Sequence, residues 1–315
     1  MISLITSLYR TEAHLPTYID HAAQVAQQVR ATGVEVEFIL VANDATEREH
    51  ALLAAFATSD ETVRVLHVPR ESVYASWNRG VEAAHGQALG FWNVDDIRTA
   101  DALIAGYRRI IAGCALVYFA HTVVRTTGTK QTRKVYPAVP YDAEVHRAKM
   151  KCGPFFMFTP SLYAQIGAFD ARFRIAGDWE WCVRATYQVD FCALNQQAGT
   201  FLLHGGNLSD TGNPLQLVEE NVVHLLNGGY QRLVPADPVL MRDVWGKWGL
   251  PLDAEIASLL WGADAAQHAL AWQQTQRRAR RQSQLERAIR FVPRLVIKHL
   301  RLRPLLARLG IVQSD

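Results

Sequence analysis

The sequence predicts an α/β protein: a mostly parallel sheet with helices on both faces, followed by a helical C-terminal extension. Three observations carry this expectation. Strand-like and helix-like stretches alternate four times within about the first hundred of 315 residues, the pattern of a parallel sheet wound with crossover helices. The strand-like stretches are short, continuous apolar runs, as expected of strands covered on both faces. Each of them ends abruptly in polar chemistry, and right-handed crossovers would gather those ends on one edge of the sheet.

Taken in order, Ile2–Leu8 is an apolar run closed by Tyr9-Arg10-Thr11. From about Pro16 to Ala31, Ile19, Ala22, Ala23, Ala26 and Val29 recur at helical spacing, and Gly33 stops the helix. Val36–Val41 is the second strand. It ends in Asn43-Asp44-Ala45-Thr46, and Glu47–Ala57 is helical. Val63–Val68 is the third strand, closed by Pro69-Arg70-Glu71, before a helix over Val73–Ala84 that contains Trp77, Asn78 and Arg79. Ala88–Trp92 is the fourth and delivers Asn93, Asp95 and Asp96 ahead of a helix over Ala100–Ala112. After Gly113 the alternation breaks. Leu116–Val124 and Lys134–Tyr136 read as antiparallel additions around a Thr-Gly-Thr turn, Phe155–Phe158 as a short buried strand, and a helix starts near Pro160. Another helix opens at Gly177-Asp178-Trp179-Glu180, and Thr200–Leu203 is a strand ending in His204.

The chemistry concentrates at Asn93-Val94-Asp95-Asp96. Two neighbouring carboxylates repel, so a fold keeps them charged only beside a cation or good donors. Such oxygens suit Mg²⁺ or Mn²⁺, especially an ion that also holds substrate phosphates. Capping of the following helix is the competing reading. No GxGxxG follows the first strand and no GxxxxGK[ST] occurs, which removes most support for dinucleotide and P-loop chemistry. The four cysteines form no CxxC pair, so they are expected as reduced thiols in a cytosolic protein, without a zinc site. No apolar run approaches bilayer-spanning length, and the N-terminus reads as a strand rather than a signal peptide. The net charge of +3 hides an asymmetry: residues 277–308 carry eleven Lys/Arg against Glu286 alone, or +10, which leaves −7 on the remainder.

Five stretches in order over residues 1–210 resemble the nucleotide-sugar glycosyltransferases of family 2, which have the GT-A fold. The opening strand with Thr6 to Arg10 resembles the family's apolar start followed by Thr-x-Tyr-Asn-Arg. Asn43-Asp44-Ala45-Thr46 resembles its Asn-Asp-Gly-Ser turn, and Trp77-Asn78-Arg79-Gly80 with Ala84-His85-Gly86 its Arg-Asn-x-Gly…Ala-x-Gly stretch. Asn93-Val94-Asp95-Asp96 resembles its Asp-x-Asp-Asp metal motif. Gly167-Ala168-Phe169-Asp170 followed by Gly177-Asp178-Trp179-Glu180 resembles its Gly-x-Phe-Asp…Glu-Asp-x-Asp segment. His204 with Asn207 and Ser209 is similar to the late His-x-x-x-x-Ser element.

The resemblance implies transfer of a sugar from a nucleotide-diphosphate sugar, a UDP-sugar being favoured, to a glycan or lipid-linked acceptor in cell-surface polysaccharide synthesis, with inversion and with Mn²⁺ or Mg²⁺. It implies Asp95, Asp96 and His204 as metal ligands, and Asp178 as general base with Glu180 in reserve. Thr6, Tyr9, Arg10, Asp44, Arg70, Asn78, Asn93 and Asp95 would line the donor site, and Trp179 would stand near the acceptor. Two departures stand out: Asn93 replaces the first Asp of the metal motif, and Gly177 replaces the Glu before the base. They keep open a second function, a catalytically weak sugar-nucleotide-binding module or a subunit of a larger transferase complex.

The expected organisation is a transferase domain over 1–212, a helical extension over 213–276, and a basic tail over 277–315. In the tail, Leu285, Ile289, Val292, Val296 and Leu300 recur at helical spacing among cations, with Pro293 and Pro304 as breaks. A basic amphipathic stretch of this kind can lie on an anionic bilayer, which would make a cytoplasmic protein peripheral on the inner face of the cell membrane. Packing against the body or a second subunit is the alternative. No nucleic-acid partner is expected, because no base-reading motif accompanies the charge.

Overall fold

The computed structural model describes residues 1–204, 207, 213–234 and 236, with isolated positions 240, 241, 247–250, 256, 258 and 260. Ser209, the helices expected over Pro238–Trp248 and Asp253–Gln284, and the basic tail lie outside these residues, apart from the isolated positions. Residues 1–233 form one compact unit and 234–315 a second. The sheet and every helix named here belong to the first unit.

The expected alternation is present. Strands β1 (Ile2–Leu8), β2 (Val36–Asn43), β3 (Val63–Val68) and β4 (Ala88–Phe91) are joined by helices α1 (Leu15–Arg30), α2 (Glu47–Ser59) and α3 (Val73–Ala83). The strands run parallel in the order β3-β2-β1-β4. All eight residues of β2 are buried, which explains why its sequence does not alternate: helices cover both of its faces. On one face Ile2, Leu4, Phe38 and Leu40 meet Leu15, Val25 and Val29 of α1 and Leu53 and Phe56 of α2. On the other, Gly80 lets α3 approach β1, because a Cβ there would collide with Ile5 Cγ2.

Beyond β4 come β5 (Ile97–Arg98), α4 (Ala100–Ile111), the hairpin β6 (Leu116–Thr127) and β7 (Lys130–Tyr136), α5 (Ala143–Ala148), β8 (Met157–Phe158), α6 (Pro160–Ile166), α7 (Gly177–Ala185), β9 (Cys192–Leu203) and α8 (Pro214–Leu226). The sheet continues β4-β8-β6-β9-β5, with β7 paired to β6. β8 is antiparallel to both β4 and β6, whereas β6 and β9 are parallel. β9 begins well before the expected Thr200, because the polar Asn195-Gln196-Gln197 run conceals a strand whose pairing with β6 is irregular. A second apolar layer holds the α6–α7 region. Phe91 stacks on Trp77 at 3.8 Å, and Phe169 stacks on Trp181 at 4.8 Å.

The cysteine reading is corrected. Cys114 and Cys192 form a disulfide, with Cα atoms 6.4 Å apart and a sequence separation of 78. The parallel pairing of β6 with β9, which sets Val117 opposite Cys192, brings them together. Only Cys152 and Cys182 are free thiols, and both are buried. Among the described residues no helix is long and apolar enough to cross a membrane.

Candidate active site

The loops after β1 and β2 meet over the sheet edge. Arg10 and Asp44 both have positive φ, 55° and 51°. A left-handed backbone costs a non-glycine residue roughly 1–2 kcal/mol, so something must hold each one. Their exposed side chains form an ion pair at 3.6 Å. Beneath them lies a buried carboxylate that the sequence reading did not single out. Glu49, in the first turn of α2, accepts from the Thr11 amide, from Thr11 Oγ1 at 2.9 Å and from the Thr46 amide at 2.8 Å. Thr46 Oγ1 in turn caps the Glu49 amide and donates to Glu12. Burial opposes ionisation of Glu49, but these hydrogen bonds outweigh it and hold its pKa below the ordinary value. A helix capping box therefore clamps two neighbouring loops together. Arg70, at the end of β3, lies over the Tyr9 ring at 3.4 Å from its centroid.

The acid pair divides its work. Asp95 Oδ2 accepts from Asn207 Nδ2 at 2.8 Å and lies 3.2 Å from His204 Nε2. Asp96 points inward and is buried, accepting from the Leu202 amide at 3.2 Å and from Asn93 Nδ2 at 3.0 Å. Burial, then the Asp95 charge, raises the Asp96 pKa well above its ordinary value. Asp95 thus faces His204 and Asn207, while Asp96 is held by the Leu202 amide and Asn93. His14, at the start of α1, stacks on His204 with centroids 5.3 Å apart; the sequence reading missed it. Among the described residues no three His, Cys, Asp or Glu side chains assemble into a metal cluster. The chemistry of the donor set nevertheless fits a divalent ion of the Mg²⁺ or Mn²⁺ type, which commonly takes one or two carboxylates and completes its shell with phosphates and water.

The third cluster is built from long-range contacts. Glu219 of α8, a buried carboxylate, accepts from the amides of Arg174, Ile175 and Ala176 at 2.8–2.9 Å. That fixes the turn into α7. Asp178 follows in its first turn, partly exposed, accepting from the Trp179 amide at 2.8 Å. Burial pushes its pKa up to about 6. Its Oδ1 is 3.3 Å from the hydroxyl of Tyr74, in the first turn of α3. Because α3 begins just past the carboxyl end of β3, this contact puts Asp178 at the same sheet edge as the other strand-end loops.

Several expected residues do not reach that edge. Thr6 is wholly buried, with its hydroxyl 2.7 Å from that of Tyr18. Asn78 is committed to structure: its amide donates to Phe169 O and accepts from Phe169 N and the Tyr163 hydroxyl, each at 2.9 Å. Glu180 is buried and bound by Arg184 at 2.8 Å. Trp179 is buried, its indole donating to His146 O, so it does not stand at an acceptor surface. Gly177 has a steric reason: a Cβ there would meet the Tyr74 ring at 2.7 Å.

Comparison with known proteins agrees with this architecture. The uncharacterized glycosyltransferase EpsJ of Bacillus subtilis (strain 168) is 28% identical over 96 residues, 30% of this chain and 26% of that protein. The PGL/p-HBAD biosynthesis glycosyltransferase of Mycobacterium tuberculosis (strain ATCC 25177 / H37Ra) is 26% identical over 188 residues, 58% of this chain and 69% of that one. The matched segment thus spans about a quarter of the first relative and about two thirds of the second. Among solved structures, residues 1–349 of S. aureus TarS in complex with UDP-GlcNAc align with a TM-score of 0.60 at 12% identity, covering 87% of this chain and 92% of that one. At that identity the likeness establishes the GT-A fold alone. The family profile described as glycosyl transferase family 2 matches residues 3–167, more than half of the sequence, and the chain belongs to that family.

Proposed function

We propose that this glycosyltransferase moves a sugar from a nucleotide-diphosphate sugar to an acceptor hydroxyl on a glycan or lipid-linked substrate, inverting the anomeric carbon, in cell-surface polysaccharide synthesis. The observation that carries this reading is a partly exposed carboxyl with a pKa of about 6 on the sheet edge that also presents the Arg10–Asp44 and Asp95–His204 pairs. The fold neighbour TarS was solved with UDP-GlcNAc and with UDP, which favours a uridine donor.

In this reading Asp44 accepts from a base N–H, and Arg10 and Arg70 meet the diphosphate beside Tyr9. Asp95 and His204 would hold a divalent ion, which when bound supplies charge to the departing diphosphate. Asp178 takes the proton of the acceptor hydroxyl as its oxygen attacks the anomeric carbon. The bond to the diphosphate oxygen breaks, and its electron pair leaves with that oxygen. Asp96 and Asn93 set the strand end behind Asp95, while Thr6 and Asn78 act from within the fold. Glu180 keeps the reserve role, although Arg184 occupies it.

A screen of UDP-, GDP- and dTDP-sugars with Mn²⁺ tests the reading, since a ligand that binds only the folded state raises the melting temperature. Stabilisation by a UDP-sugar followed by transfer supports it. Binding without transfer or hydrolysis favours the second reading, a weak binding module or a subunit of a larger complex. The bond between Asn93 and Asp96, which commits the two side chains to each other, also favours that second reading. The tail over 277–308 is proposed to rest on anionic lipid. Flotation with and without residues 277–315 checks that, and equal flotation counts against it.

A further inference from the structure

His14 stands at the N-cap of α1, a position that favours Ser, Thr, Asp or Asn because their side chains bond the first helix amides. The His14 side chain makes no capping bond. Its exposed ring instead stacks on His204, beyond the end of β9, with centroids 5.3 Å apart and planes 27° from parallel. The backbone under that ring is anchored. The Thr11 carbonyl accepts from the His14 and Leu15 amides, each at 2.9 Å. Glu49 holds Thr11 in turn, through its amide and its hydroxyl, and Leu15 is wholly buried.

His204 is held less completely. Its amide donates to Asn207 Oδ1 at 2.7 Å, which fixes the main chain. Its side chain is 37% exposed. Among the described residues its ring has one polar contact, Asp95 Oδ2 at 3.2 Å from Nε2. That contact is given up when both side chains turn to an ion, which leaves the His14 face to support the ring. Offset aromatic stacking favours one ring orientation, and a side chain that is already ordered spares a ligand the entropy of ordering it.

We propose that His14 is a positioning residue whose ring holds His204 in the orientation that receives a divalent ion together with Asp95. Through Thr11 and Glu49 it also ties that pair to the donor loops. The proposal rests on the reading of Asp95 and His204 as ligands of the ion. His14 acts here by the face of its ring and not by its nitrogens. A histidine that merely starts α1 would be replaceable by a better capping residue. One that acts through nitrogen would not be replaceable by phenylalanine.

The experiment compares His14→Ala, His14→Asn and His14→Phe in the full chain at a single pH. In the metal-free protein, ¹³C relaxation reports the order of the His204 ring, its signal assigned through His204→Gln. The order parameter should fall toward about 0.6 or below in the Ala and Asn variants, the range of a flexible group, and keep its parent value in His14→Phe. UDP is then titrated with and without Mn²⁺. With Mn²⁺ the Ala and Asn variants should bind UDP about threefold to tenfold more weakly, the scale of one aromatic pair, and His14→Phe within about twofold of the parent. Without Mn²⁺ all three should match the parent. The melting temperature of His14→Asn should equal or exceed the parent's, so its weaker binding cannot be laid to unfolding. An unchanged order parameter in His14→Ala, or a phenylalanine variant as impaired as the alanine one, overturns the proposal. Asp95→Ala separates the two claims. If it leaves Mn²⁺-dependent UDP binding unaltered, the ion reading fails, and the order parameter alone decides whether His14 holds the ring.

Discussion

The two halves of the site are built in different ways. The proposed donor half is local: Arg10, Thr11, Asp44, Thr46 and Glu49 lie within forty residues of one another, on two consecutive strand-end loops. Its reactive side chains are exposed, and its order comes from backbone geometry: two loops, each with one left-handed residue, clamped by one carboxylate through Thr11 and Thr46. The proposed acceptor half is assembled at long range. Asp178 depends on Tyr74, 104 residues earlier, and on Glu219 in α8, which fixes the turn before it. Its acids are largely buried and proton-tuned. The difference suggests that the donor half can be perturbed with loss of binding, and the acceptor half with loss of chemistry or of fold.

Substitutions in either half can break this contrast. Asp95→Ala should reduce transfer by about 10²–10³-fold, the scale of removing a group that stabilises transition-state charge. A steady-state assay at saturating donor checks this, and near-normal turnover would move the diphosphate site elsewhere. Glu219→Gln should cost about 2–4 kcal/mol in urea unfolding, since three amides, two of them buried, lose a charged acceptor. An unaltered midpoint would show that the turn before α7 holds itself. Glu49→Gln should raise the donor KM by roughly tenfold, about 1.4 kcal/mol of binding, with kcat within about twofold. The amides of Thr11 and Thr46 should lose hydrogen-exchange protection together; loss at only one of them would uncouple the loops.

The smallest effect expected is one of stability. Asp178 titrates near pH 6 in the fold against about 3.9 in an unfolded chain. The fold therefore binds this proton more tightly than the unfolded chain does. Its contribution grows as pH falls from about 6 toward 4 and is an ionisation cost above 6. Asp178→Asn removes that cost, so its melting temperature should exceed the parent's by a few degrees at pH 7.5, by about half as much at pH 5, and match it near pH 4.

Much of the donor half was legible in the sequence because its information is local. Four apolar runs, each closed by polar residues, placed Arg10, Asp44, Arg70 and Asp95 at strand ends. The Thr46-x-x-Glu49 spacing carries a capping-box signal that could have pointed to Glu49. What the spacing could not show is that the same carboxylate also holds Thr11. The acceptor half was only partly legible. Asp178 was found through its resemblance, but Tyr74 and Glu219 look like an ordinary helix aromatic and an ordinary helix acid until the chain folds back on itself. The same distance in sequence hid the Cys114–Cys192 pair. Thr6 and Asn78 illustrate the converse: residues inside a recognisable motif that the fold uses for its own hydrogen bonds.

The most direct test of this division of labour is to measure turnover and UDP affinity side by side in Asp178→Asn. A general base contributes about 10²–10⁴-fold, so turnover should fall by at least a hundredfold while UDP binds within about twofold of the parent. Retained turnover, or an equal loss of UDP affinity, would contradict the account.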